Sequence, residues 1–256
     1  MAETFFELRD GVFWVRPLGL AKWGGGQVSG VALCGLLARE LERHCPAAGF
    51  VPARLTVDMF RAVPDAPIEV RSAVVRAGNR VVVADAQVIQ AGEVRTRGTA
   101  VFLAAKGDSA GEVWAPKEEL PMPDTRLVAP DGDPPLLRSG AAEWTEDLTS
   151  GRNPERNVLW QNLIPLVEGE KISPFQRAAA MADVTNLVCH LGTAGVRYIN
   201  ADMTLALSRL PSGPELGLRA EDRVAAEGVA VGTAVLYDRL GRLGTCVVTA
   251  LANGLR

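Results

Sequence analysis

The chain lacks most of what would mark a membrane, nucleic-acid or metal-binding protein. It has no run of about 18 uninterrupted apolar residues, the length a membrane-spanning helix needs. Basic residues are not in excess: 27 Lys and Arg stand against 30 Asp and Glu, for a net charge of -3. No local Lys/Arg cluster supplies the footprint that a nucleic-acid partner requires. The four cysteines, Cys34, Cys45, Cys189 and Cys246, have no metal-type spacing and are expected as reduced thiols packed like small hydrophobes. The first residues, MAETFFELRDGVFWV, lack the basic segment and long apolar run of a secretory signal, so a soluble, cytoplasmic protein is expected. What is present is apolar bulk: 256 residues, 48% hydrophobic, suffice for one large domain or two ordinary ones.

Two helical patterns interrupt a background of strands. GGQVSGVALCGLLARELERH, residues 25–44, puts Val28, Val31, Ala32, Leu36 and Leu37 near one stripe. The second starts at Pro174 after Ser173 and is expected to run through FQRAAAMADVTNLVCHL to a Gly192 cap. Its apolar residues cover nearly the whole circumference, so it is expected to be wrapped by a sheet.

The series of strands after each helix repeats. LTVDMFRAVPDAPIEVRSAVV from Leu55 matches MTLALSRLPSGPELGLRAEDR from Met203, pairing Arg61 with Arg209, 148 residues apart. VVVADAQVIQAGEVRTRGTAVFLA from Val81 matches VAVGTAVLYDRLGRLGTCVVTALA from Val229, pairing Gly92 with Gly241, 149 apart. Gln27 meets Gln176 at the helix starts at the same spacing. Between the copies lies a Pro-, Gly- and Asp-rich stretch without periodicity, which reads as a surface linker. The expected organisation is an N-terminal repeat over 1–104, a linker over 105–143 and a C-terminal repeat over 144–256. Each repeat is an α+β unit, a long apolar helix under several antiparallel strands, and the two sheets are expected to join edge to edge.

Four stretches, in this order and over this repeat, carry a resemblance: WGGGQVSGVAL (23–33), VRAGNRVVVADAQVIQAGE (75–93), PLVEGEKISPFQRAAAMADVTN (165–186) and YINADMTLALSRLP (198–211). Their wording resembles the acyl-CoA thioesterase II family and its thioesterase-like relatives, over nearly the whole chain apart from the linker. The resemblance implies a double hotdog fold and water-mediated hydrolysis of a fatty acyl-CoA to free acid and CoA. It implies no metal, cofactor or serine nucleophile. Relatives commonly pair through the exposed faces of such sheets, so a homodimer is expected.

The resemblance places a catalytic carboxylate at Asp183, which would hold and deprotonate a water. An independent argument comes from the repeat. The position 149 residues earlier is Cys34, so the scaffold carries this charge in only one copy. The alternative is an Asp satisfied structurally by Thr185 or Asn186. Asn200 matches the position of a water-orienting Thr, Ser or Asn, against the plainer reading of a turn residue entering a strand. Asp202, two residues on, is expected to face the same way by strand alternation. The family's third group is a Gln near the last strand, where this chain has Val248 and Thr249; Thr249 is the stand-in able to give one hydrogen bond. That departure motivates a second reading, a non-catalytic acyl-thioester binding protein of the same fold.

For substrate contacts, Gly25, Gly26 and Gln27 are expected to present backbone N–H groups at the first helix start, where the dipole favours an oxyanion. A tight entry turn is the alternative. Arg76 and Asn79, at a hairpin, are candidates for CoA phosphates or pantetheine, with a solvated turn as the alternative. His44 and His190 fall in the last helical turns and read as cationic caps rather than bases. Neither lies in a strand, which weighs against the hotdog dehydratases.

Overall fold

The computed structural model describes residues 3–22, 25–46, 49–107, 110–130 and 134–254. The first copy comprises a hairpin of β1 (Phe6–Arg9) and β2 (Val12–Val15), helix α1 (Gly30–Glu42), and strands β3 (Phe50–Met59), β4 (Glu69–Ala77), β5 (Val81–Gln90) and β6 (Glu93–Ala104). Two short strands precede the second helical segment: β7 (Leu136–Ser139) and β8 (Asn157–Asn162). Helices α2 (Pro174–Asp183) and α3 (Thr185–His190) follow, then the small hairpin of β9 (Leu191–Gly192) and β10 (Gly195–Val196). The chain continues through β11 (Tyr198–Asn200), β12 (Asp202–Leu207), β13 (Glu215–Ala226), β14 (Val229–Asp238) and β15 (Gly241–Ala252).

Eleven strands form one sheet in the order β4-β5-β6-β3-β12-β15-β14-β13-β8-β7, with β11 also pairing β15. The halves therefore join edge to edge, as expected, through antiparallel β3 and β12. Thr56 lies opposite Thr204 in that register, their hydroxyl oxygens 3.3 Å apart. These two threonines are 148 residues apart, which is the repeat spacing, so the pseudo-twofold relating the copies passes between them. The fold is a double hotdog.

Helix α1 begins later than the periodicity suggests. Gly25 and Gly26 take positive φ (87° and 58°), a conformation glycine reaches without strain but no α-helix contains. The helix is nucleated at Ser29, whose hydroxyl accepts from Ala32 N–H at 3.2 Å. The second helix opens with a capping box, in which Ser173 Oγ accepts from Gln176 N–H and Gln176 Oε1 accepts from Ser173 N–H. It is not continuous to His190, because Val184 separates α2 from α3 directly after Asp183.

The two helices run antiparallel under the sheet. At one end Glu42, closing α1, accepts from Ser173 Oγ (2.7 Å) and Gln176 Nε2 (3.1 Å) at the start of α2. At the other end the start of α1 meets Asp183. Small residues allow this approach: Ala178, Ala179, Ala180 and Ala182 of α2, like Ala32 and Ala38 of α1, are fully buried. One apolar core spans both halves, with Phe102 of β6 packed edge-on against Phe175 of α2 at 6.5 Å. Each large side chain buried in it contributes about 1.5–3 kcal/mol.

The segment expected as linker is more structured than its composition suggests. It supplies edge strand β7, with Leu137 in the core. It also lies along the outer face of the second half, where Tyr237 Oη donates to Pro121 O at 2.6 Å and Arg239 donates to Pro123 O at 3.0 Å. Beneath it sits a second apolar cluster around Trp160 and Tyr237. All four cysteines are free thiols, three of them buried. His190 is not a cation at the helix end: burial, then the nearby Arg223 charge, pushes it down to about 4, so it is neutral. Its ring stacks on Tyr198 and its Nδ1 lies 2.9 Å from Asn186 Oδ1.

Candidate active site

Asp183 is the last residue of α2 and Asn200 the last of β11, and the fold brings them together: Asn200 Nδ2 donates to Asp183 Oδ1 at 3.0 Å. The amide also lies 3.7 Å from Met59 Sδ, on the first copy's strand β3. Asn186 holds this arrangement from behind, its Nδ2 donating to Tyr198 O at 3.0 Å and so pinning β11 to α3.

The carboxylate rests against the first turn of α1. A Cβ at Gly30 would overlap both carboxylate oxygens of Asp183, so only glycine admits the group there. Burial pushes the Asp183 carboxyl up to about 6, partly offset by the Asn200 hydrogen bond. The carboxylate thus retains basicity near neutral pH, beside the amide end of a helix that favours negative charge.

Asp183 and Asn200 open onto a cavity of about 170 Å³. Its walls are mainly apolar, with Phe5, Leu18, Leu20, Leu159, Leu163 and Leu187 among them. Ser29, Gly30 and Val31 form its helix-start rim, and exposed Lys22 stands on the same side. Among the described residues no cluster of three or more His, Cys, Asp or Glu is arranged to hold a metal.

The other sequence-derived candidates lie elsewhere. Gly25, Gly26 and Gln27 precede the helix and pair with the 63–65 loop, where Gly26 O accepts from Asp65 N–H at 2.8 Å. The helix start at the cavity is Ser29 to Val31 instead. Arg76 and Asn79 are exposed at the β4–β5 hairpin on the edge of the sheet. Strand β4 approaches α1 at its far end, with His44 Nε2 2.9 Å from Ser72 Oγ. The structure does not bring these two residues to Asp183.

Nor does it bring Thr249. The expectation that Asp202 shares a face with Asn200 is corrected by a bend at Ala201, whose N–H donates to Thr249 O (2.9 Å) and whose carbonyl accepts from Met59 N–H (2.8 Å). The bend breaks the two-residue alternation, so Asn200 turns inward while Asp202 accepts from Thr249 N–H at 3.0 Å and from its hydroxyl. Thr249 is spent on Asp202, and the inward position beside it is the fully buried Val248.

Gly30 and Gln161 were not singled out by sequence. Gly30 hides among neighbouring glycines; its signal is that it opens the helix proper, after the Ser29 cap. Gln161 is a polar residue at an inward position of β8, a signal visible only once the strand's parity is known.

The architecture is thus a continuous two-copy hotdog sheet over two antiparallel helices, with one carboxylate–amide pair above an apolar cavity. The sequence comparisons agree: residues 20–103 match the acyl-CoA thioesterase N-terminal domain and residues 116–251 the acyl-CoA thioesterase C-terminal domain. The chain belongs to the acyl-CoA thioesterase family.

Solved structures share the fold at low identity. A putative thioesterase II from Thermobifida fusca is 16% identical with a TM-score of 0.70, over 97% of this chain and 96% of that one. A putative thioesterase from Novosphingobium aromaticivorans is 18% identical with a TM-score of 0.69, over 99% and 100%. A tesB protein from Mycobacterium avium subspecies paratuberculosis is 16% identical with a TM-score of 0.68, over 96% and 95%. No curated protein matched the chain.

Proposed function

We propose that this protein hydrolyses acyl-CoA thioesters at Asp183 and Asn200. The observation that carries the reading is a half-buried carboxylate with a raised pKa, bonded to a neutral amide and packed against a helix start over an apolar cavity. The acyl group occupies the cavity, and its thioester carbonyl lies at the start of α1. Asp183 takes a proton from a water oriented by Asn200, and the resulting hydroxide attacks the carbonyl carbon. The N–H groups of the first turn of α1 stabilise the oxyanion. Collapse breaks the C–S bond, and the leaving CoA thiolate recovers the proton from Asp183. An engineered apolar cavity of about 150 Å³ holds a benzene ring, so acyl groups of about six carbons suit this one.

A second reading, an acyl-thioester binding protein without turnover, is favoured by Val248, which presents no hydrogen-bonding group where the family has an amide. CoA release from acyl-CoAs of several lengths separates the two. Wild type is expected to release CoA, and Asp183→Asn to lose about 10²–10⁴-fold, the usual contribution of a positioned general base. Equal rates in the two proteins would remove Asp183 from the mechanism, and tight binding without any turnover would favour the second reading.

A further inference from the structure

A second cleft, of about 520 Å³, opens where α3 ends, and the proposed chemistry uses none of it. The β9–β10 hairpin, the loop over 153–156 and β13 at 220–223 line it, together with the end of α3. Asn186 and Leu187 line the acyl cavity, whereas Val188, Cys189 and His190 line this cleft. His190 is its deeply buried polar side chain, 6% exposed. Its Nδ1–H donates to Asn186 Oδ1, because the Asn186 amide nitrogen is already committed to Tyr198 O. The neutral ring thus has its proton on Nδ1 and a bare lone pair on Nε2, which is buried without a hydrogen-bond partner among the described residues. Nδ1 points back along α3 to the acyl-cavity side, so Nε2, across the ring, is turned toward the cleft.

Three guanidinium groups border the same cleft, those of Arg156, Arg197 and Arg223. Arg156 donates to Glu221 O (3.3 Å), Arg197 Nε donates to Ala194 O (3.0 Å), and Arg223 lies over the Tyr198 ring, 5.1 Å from its centre. None of the three is ion-paired with a carboxylate among the described residues. The carboxylates of the cleft are engaged elsewhere: Glu221 bonds Arg219, Asp222 Oδ1 accepts from Arg223 N–H, and Glu155 lies against Gly140. A buried acceptor without a donor is costly, and a ligand that donates to it recovers that cost. Unpaired cations at the mouth and a bare acceptor within fit an anion that still has a hydrogen to give.

We propose that this cleft binds inorganic hydrogen phosphate, its O–H donated to His190 Nε2 and its charged oxygens held by Arg156, Arg197 and Arg223. The planar fork of arginine matches phosphate geometry. Hydrogen phosphate meets both demands at neutral pH, since it is a dianion that keeps one O–H. Sulfate has the same shape and charge but no hydrogen, so its oxygen would face the Nε2 lone pair. A phosphate ester, such as those of CoA, loses its last proton near about pH 6 and then resembles sulfate. A site built for a hydrogen bond rejects the analogue that cannot make it. The inference does not depend on the thioesterase reading.

The test is calorimetric titration of the whole protein at about pH 8, far above the His190 value of about 4, with inorganic phosphate, sulfate and adenosine 3′,5′-bisphosphate as separate probes. Phosphate is expected to bind about tenfold or more tighter than either of the others. The chain has two histidines, so side-chain nitrogen-15 NMR locates the ion: phosphate should shift the His190 Nε2 signal and leave His44 unmoved. Arg223→Gln, an exposed change, should weaken phosphate about fivefold or more. His190→Gln, whose amide donates as well as accepts, should erase the preference over sulfate. Should that variant fail to fold, the wild-type ratio and the NMR shift decide alone. Absent phosphate binding, sulfate or the bisphosphate binding as tightly, or an unmoved His190 signal would each overturn the inference. Phosphate binding by a protein that releases no CoA keeps this inference and sinks the thioesterase reading; CoA release without phosphate binding does the opposite.

Discussion

At the scale of single residues, the proposed chemistry sets stability against function at Asp183. Its carboxyl stands at about 6 in the folded protein, against an ordinary 3.8, because burial disfavours the charged form. The folded state thus holds this proton more tightly than the unfolded chain between those values, so stability falls as pH rises through the window and stays lower above it. The loss is at most about 3 kcal/mol. On the proposed mechanism activity has the opposite sign, since the carboxylate is the form that would take the proton, and kcat/KM is expected to rise through about pH 6. Asp183→Asn should therefore be more stable than wild type by a margin that grows from pH 4 to pH 7, in urea unfolding followed by circular dichroism. A margin independent of pH would show that Asp183 does not titrate in this way. Asp183 was legible beforehand because its repeat partner is Cys34, an uncharged residue on the equivalent helix. Thr249 was not, because which side chains of β15 face inward is set only when the strand's parity is fixed, and there Val248 takes the buried side while Thr249 bonds Asp202.

At the scale of elements, helix ends do the positioning. The capping box at Ser173 begins α2 and ties it to Glu42 at the end of α1, so the same residue sets a helix start and the packing of two helices. Ser173→Ala is expected to cost about 1–2 kcal/mol in chemical denaturation, more than a solvent-exposed cap, because a bond to Glu42 goes with it. A loss under about 0.3 kcal/mol would mean that Glu42 and Gln176 fix the junction without the hydroxyl. The far ends of the helices build the site, with Asp183 against Gly30. Sequence located both helices and the Ser173 start. It missed the late start of α1 and the break at Val184, since both depend on local backbone geometry rather than on the spacing of apolar residues.

At the scale of the whole molecule, the halves are copies in sequence but not independent in structure. One core runs through both, Phe102 packs on Phe175, and β3 and β12 each complete the other's edge. Residues 1–104 expressed alone should lack a cooperative unfolding transition, because the fragment exposes the face of α1 that packs on α2 and the open edge of β3. A sharp thermal transition in the monomeric fragment would contradict this. The sequence by itself determined the repeat, its spacing, the two central helices, the edge-to-edge joining of the sheets and the one-sided charge at Asp183. All of these are periodic or comparative signals carried along the chain. Only the tertiary structure decided which side chains share the cavity: Asn200 in, Thr249, Arg76 and Asn79 out, Gly30 and Gln161 added. A site assembled from α1, β8, α2 and β11 is fixed by where strands bend and helices end, and residues distant in sequence acquire a common direction only when the two copies close around one core.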